Sequence, residues 1–295
     1  MSTPPFVEVP ADVRSIVIDT SGGPLAALRS VVSASVSVAA SESASAPAPR
    51  GTALLVPGFT GSKEDFIAVL GPLTRAGFDV VALDQRGQHE SAGGLGDAYT
   101  LKRLGEDLLE VIDAISDGPV HLVGHSFGGL VAREAALSRP ERIRTLTLLC
   151  SGPSAIPGKS GEQAALLAAA AGFLPLADIW TEVKKIEAAS GVRQHPDPNV
   201  RDFLHRRFLA NSPEMLVGMG AEITTAPDRI AELATSGIPL YVACGANDDA
   251  WPVATQREMA RHLSAPFHVI EDARHSPAAE RPEATAAYLA DVWSY

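Results

Sequence analysis

The segment "PVHLVGHSFGGLVAREAAL", residues 119–137, sets one serine between glycines. Its centre, "GHSFG", fits G-x-S-x-G, the pattern of a serine carried on a sharp strand-to-helix turn. Such a turn strains the backbone, and bulky neighbours would collide with the adjoining strand and helix, so Gly124 and Gly128 suit it. A serine hydroxyl is a poor nucleophile at neutral pH and needs a base. That base needs a carboxylate to orient it and to stabilise its positive charge. The chemistry these types could perform is acyl transfer through Ser126.

The chain has eight histidines. His121 lies inside the predicted strand before the turn and reads as a packed core residue. His125 adjoins the serine, with its side chain expected to point away from the hydroxyl. His195, His205 and His262 fall on predicted surface helices, His268 within a strand, and His89 in a loop that could line a pocket. His275, in "EDARHSPAAERPE", follows the predicted strand "FHVIED" and precedes the last helix. The order Ser, then Asp, then His along the chain selects His275 as the base. The carboxylate comes from "CGANDDAWP", after the strand "LYVA". Its G-x-x-D-x-x-x-P spacing, Gly245 to Pro252, favours Asp248. Asp249 stays open as the alternative, or as a solvated loop carboxylate or helix cap.

These residues need a scaffold that brings distant loops to one edge. "RSIVID" and "PLAALRSVV" around "TSGG" predict a hairpin. "SASVSVAASESASAPAPR", residues 33–50, predicts a flexible surface loop in its second half. From residue 51, apolar runs such as "GTALLVPG" alternate with segments of helical spacing. "TLKRLGEDLLEVIDAISDG" places Leu101, Leu104, Leu108, Val111 and Ile112 on one helix face. Strands separated by helices imply a mostly parallel, doubly wound α/β sheet with helices on both faces. After Pro153 the alternation stops. Residues 153–235 predict helices only, an inserted helical cap between two strands of a core made of 1–152 and 236–295. Phe173, Leu174, Leu176, Ile179, Trp180, Phe203 and Phe208 there are expected to pack, and some to line an apolar acyl pocket.

The chain's 295 residues and 46% apolar content suit a sizeable core. With 24 basic and 35 acidic residues, the net charge of −11 argues against nucleic acid and anionic lipid as partners. No apolar run is long enough for stable membrane insertion. The N-terminus lacks the pattern of a signal peptide, so a cytoplasmic protein is expected. Cys150 and Cys244 sit in apolar runs and read as buried free thiols. No metal site is expected, because His, Asp and Cys do not cluster at ligand spacing. "GGLG" at 93–96 has no following Lys-Ser/Thr and is not read as a phosphate loop. No cofactor is required.

The motifs "PGFTGS", "DQRGQHES", "GHSFGG", "GANDDAWP" and "RHSPAAERP" occur in an order that resembles the α/β-hydrolase superfamily, from about residue 51 to the C-terminus. The resemblance implies the α/β-hydrolase fold and a Ser126, Asp248, His275 triad. It implies an oxyanion hole from the backbone N–H groups of Phe127 and Phe59. It implies a serine hydrolase acting on small-molecule carboxylic esters, of the esterase or lipase kind, through an acyl-enzyme. Relatives cleave amides, thioesters, lactones or C–C bonds, or make peracids, and a binding protein on the same scaffold is the other class of reading. Serine at 126 argues against the branches that use an aspartate there. Two departures stand out. Pro57-Gly58 replaces the frequent His-Gly, and the D-x-R-G-x-G-x-S stretch appears as "DQRGQHES", where Gln88 and His89 change the local polarity and Asp84 and Arg86 are expected to bond to backbone.

Overall fold

The computed structural model of the chain describes residues 2–32, 48–93 and 99–294. Most of the loop expected over 33–50, and most of "GGLG", lie outside the described residues. Eight strands form one sheet. In chain order they are β1 (Val13–Thr20), β2 (Gly23–Ser30), β3 (Gly51–Val56), β4 (Phe78–Leu83), β5 (Val120–His125), β6 (Ile143–Leu149), β7 (Leu240–Gly245) and β8 (Phe267–Ile270). They lie side by side as β1-β2-β4-β3-β5-β6-β7-β8. β1 and β2 are the expected hairpin. Thr20 pairs with Gly23, so Ser21 and Gly22 alone make the turn. β2 runs antiparallel to β4, and every later pairing is parallel.

The parallel strands are buried on both faces, which is why they read as continuous apolar runs. Along β3, Leu54 and Val56 join the core on one face, and Ala53 and Leu55 the core on the other. Helices α1 (Ile67–Arg75) and α11 (Pro282–Val292) cover the second face through Ile67, Leu70, Leu73 and Leu289. Helices α2 (Leu101–Ile115), α3 (Phe127–Ser138) and α9 (Val253–His262) cover the first. α2 begins where the Thr100 side chain accepts a hydrogen bond from the Arg103 N–H at 3.2 Å. Its five predicted apolar residues are all buried. Each fully buried leucine contributes about 1.5–3 kcal/mol of transfer free energy, so truncating Leu108 is expected to cost about 2–5 kcal/mol.

Between β6 and β7 the described chain contains helices and no strand. These are α4 (Gly158–Ala171), α5 (Leu176–Ala189), α6 (Pro198–Ala210), α7 (Pro213–Thr225) and α8 (Ile230–Ala234). α6 and α7 each start with proline behind a capping side chain. Asp197 accepts from the Asn199 N–H at 2.8 Å and Ser212 from the Met215 N–H at 3.2 Å. The sheet is not interrupted by this long excursion, because Leu146 of β6 still pairs with Leu240 of β7. Met215, Leu216, Met219 and Ile223 of α7 bury against the first-face core. Phe203 and Phe208 of α6 are buried as well, whereas Phe173 is 90% exposed. A short helix that the sequence analysis does not predict, α10 (Pro277–Glu280), precedes α11. Among the described residues, no helix is long and apolar enough to cross a membrane.

Candidate active site

β5 ends at His125, and α3 begins at Phe127. Ser126 between them has φ 56° and ψ −123°, a positive φ that L side chains seldom adopt. The turn is held by two backbone bonds of 2.9 Å, from the Ser126 N–H to Leu149 and from the Gly129 N–H to Ser126. The flanking glycines are there for space. A Cβ on Gly124 would strike the backbone of Gly128 and Gly129. A Cβ on Gly128 would lie 2.5 Å from the carbonyl oxygens of Val56 and Pro57. Packing of β5, α3 and the end of β3 thus forces the sharp turn and presents the hydroxyl at the carboxyl end of the sheet.

The loop after β8 carries His275 to that edge. Its Nε2 lies 2.9 Å from Ser126 Oγ, and its Nδ1 lies 2.8 Å from Asp248 Oδ1. Asp248 follows β7, and its side chain is fully buried. It also accepts hydrogen bonds from the Ala250 N–H at 2.9 Å and the Gln256 amide at 2.7 Å. Burial works to raise its pKa, but His275 and these two donors hold the carboxyl below the usual carboxylate range. Asp249, the open alternative, points elsewhere. It is more than half exposed and pairs with Arg274 at 2.5 Å. The structure therefore brings Ser126, His275 and Asp248 into one relay and leaves Asp249 out of it.

The turn after β3 lies against the serine. A Cβ on Gly58 would come within 2.9 Å of Ser126 Cβ and 3.3 Å of its Oγ. Phe59 is the next residue, and Phe127 is the first of α3, so both expected oxyanion donors flank Ser126. Among the described residues, the Phe59 N–H makes no hydrogen bond.

Sequence reasoning missed several neighbours. His125, expected to point away from the hydroxyl, bonds the backbone carbonyl of His275 through Nε2 at 2.6 Å. Burial first, then His275, lowers its pKa to about 3, so it is neutral and donates through Nε2–H. Gln256 has no sequence signal beyond its place in α9. Cys150 and Cys244 are buried free thiols, and burial, then Asp248, raises both pKa values, that of Cys244 to about 12. "DQRGQHES" forms a second polar cluster. Asp84 bonds to the backbone of Lys63 and Glu90, as expected, and also pairs with the Lys63 ammonium at 2.7 Å. Arg86 donates to the Gly22 carbonyl and pairs with Asp107. Lys63 meets Glu64 at 3.0 Å and Glu90 at 2.8 Å. Burial works to lower the Lys63 pKa, but Asp84 and Glu64 hold it above its ordinary value. Arg207 of α6 reaches Asp65 at 2.7 Å.

Among the described residues, two groups bring three possible metal ligands together, which spacing along the chain does not reveal: His125, Cys150 and His275, and Glu64, His89 and Glu90. In the first, both imidazoles are committed to protein partners. In the second, Lys63 already holds both carboxylates. His89 has φ 43° and packs edge-on against Phe203 of α6, at 5.4 Å between ring centres.

Over 103 residues the chain is 38% identical to "Putative carbamate hydrolase RutD" of Variovorax paradoxus. That match spans 35% of this chain and 39% of the relative's length. Among solved structures, a hydrolase from Pseudomonas aeruginosa superposes with a TM-score of 0.71 at 24% identity, covering 95% of this chain and 98% of the other. The enol-lactonase from Burkholderia xenovorans superposes with a TM-score of 0.74 at 20% identity, covering 95% and 100%. These two likenesses show a shared fold. The sequence profile of the Alpha/beta hydrolase family matches residues 53–288, and the chain belongs to that family.

Proposed function

We propose that this protein is a serine hydrolase of carboxylic esters. The reading is carried by the relay Ser126–His275–Asp248, with contacts of 2.9 and 2.8 Å. Ser126 Oγ attacks the ester carbonyl carbon as its proton passes to His275 Nε2, and the carbonyl π electrons move to oxygen. The N–H groups of Phe59 and Phe127 stabilise that oxyanion, helped by the positive end of α3. Collapse expels the alcohol, which takes the proton from His275 and leaves an acyl-serine. Water then attacks, giving its proton to His275. The second collapse returns that proton to Ser126 and releases the acid. Asp248 remains a carboxylate throughout and stabilises the imidazolium.

Residues 153–235 are read as a cap on a core of 1–152 and 236–295. α7 lies over the oxyanion turn, since a Cβ on Gly220 would be 3.4 Å from the Phe59 ring. The partly exposed Phe59 ring beneath α7 suits a small to medium, partly apolar ester.

The test is labelling with a fluorophosphonate, followed by turnover of p-nitrophenyl esters from acetyl to palmitoyl, with anilide, carbamate and lactone controls. Labelling of Ser126 and a maximum at short to medium chains are expected. Ser126→Ala should lower turnover by about 10³-fold or more, with stability changed by less than about 1 kcal/mol. A folded protein that stays unlabelled and inert would point instead to a binding protein. A carbamate or anilide preferred over every ester would move the activity to C–N bonds.

A further inference from the structure

Resting on the serine-hydrolase reading, we infer that Gln88 is a positioning residue for the oxyanion hole. By holding the Gly58 carbonyl, its side-chain amide aims the Phe59 N–H at the reacting oxygen. Gln88 is fully buried in the turn after β4. Its Nε2 donates to the Gly58 carbonyl at 2.8 Å, and its Oε1 accepts from the Gln85 N–H at 3.0 Å. Both neighbours allow only this orientation of the amide, because a carbonyl oxygen can only accept and a backbone N–H can only donate. Gln85 in turn donates from its own side chain to the Pro57 carbonyl at 2.8 Å. The two carbonyls that precede Phe59 are thus each held by a buried glutamine.

The consequence follows from peptide geometry. The Gly58–Phe59 peptide is planar and trans, so its C=O and N–H point to opposite sides. Fixing the carbonyl fixes the N–H. The constraint matters here because glycine, with no Cβ, leaves its own side of that peptide freer to rotate than another residue would. Gly58 packs against Ser126, so the orientation of this peptide governs whether the Phe59 N–H faces the reacting centre. The Gly58 carbonyl also accepts from the Gly61 N–H at 3.0 Å within the turn. Loss of Gln88 therefore loosens the donor without abolishing it. Deleting one oxyanion donor outright costs about 10²–10³ in kcat, and the expected effect here is smaller, about tenfold.

Two variants test this. Gln88→Met keeps the volume and removes the amide. Gln88→Glu keeps the shape and the acceptor for the Gln85 N–H, but places a carboxylate against the Gly58 carbonyl. In both, kcat on a p-nitrophenyl ester is expected to fall about tenfold while KM stays within about twofold. Affinity for a trifluoromethyl ketone, which forms the tetrahedral adduct, should fall in parallel with kcat. A packing role alone would not reproduce that split. If the Met variant does not fold, the Glu variant decides. Active wild-type enzyme with kcat and ketone affinity unchanged in a folded variant overturns the role of Gln88 alone, and so does a loss confined to KM. A wild type that neither turns over esters nor labels at Ser126 removes the serine-hydrolase reading, and this role with it.

Discussion

Two polar clusters lie near the carboxyl edge of the sheet, and they use carboxylates in opposite ways. Around the turn after β3, Lys63 is held by Asp84, Glu64 and Glu90, and Asp65 by Arg207. The cations here, an ammonium and a guanidinium, keep their charge, while burial pushes the Asp84 and Asp65 carboxyls up. In the relay, Asp248 faces two neutral donors and one imidazole. An imidazole gains and loses a proton near neutral pH, whereas a guanidinium or a paired ammonium does not. A carboxylate opposite a fixed cation can only hold structure. Opposite a histidine it can stabilise a charge that comes and goes. The first cluster ties the turn after β3 to α6, and in the second the carboxylate meets a group that can change its charge.

The comparison breaks most visibly at Asp248. Asp248→Asn still accepts from the Ala250 N–H, so the fold should persist while kcat falls about 10³–10⁴-fold. Steady-state kinetics beside a urea melt would expose an equal loss of stability, which would place Asp248 with the structural ions. Arg207→Met should do the reverse. It leaves Asp65 buried and unpaired, at a cost of about 3–5 kcal/mol in denaturant unfolding, with kcat of the folded enzyme nearly unchanged.

A buried imidazole with no carboxylate partner sharpens the contrast. His121 packs beside Phe78 and Trp293, and burial, then Arg144, lowers its pKa to about 4. The unfolded chain takes up this proton below about 6.5, which the native state refuses until about 4. The stability it contributes is therefore complete above about pH 6.5 and lost as pH falls, by about 3 kcal/mol at pH 4. His121→Leu should flatten the pH dependence of the urea midpoint by that amount, and parallel curves would contradict it. The smallest effect is expected at Asp249. Asp249→Asn removes only an exposed pair with Arg274, and turnover should change by less than about twofold.

Much of this was legible in the residues alone. An apolar run such as "ALLV" needs cover on both faces, and period-3.6 spacing in "LKRLGEDLLEVI" needs a single buried face. Local sterics are written into composition too, and so the glycines of "GHSFGG" announce a crowded turn before any coordinates. Chain order and position after a strand sufficed to nominate Ser126, His275 and Asp248. What no local pattern contains is direction in space across long sequence separations. Asp248 and Asp249 are adjacent and chemically identical, and only the path of the loop after β7 decides which one reaches His275 and which one meets solvent. Nor does the sequence signal that His125 bonds a carbonyl 150 residues away, or that Gln88 reaches back 30 residues to Gly58. Hydrogen bonds act over about 3 Å and depend on angle, so these partnerships exist only once packing has brought strands, turns and loops to one edge of the sheet.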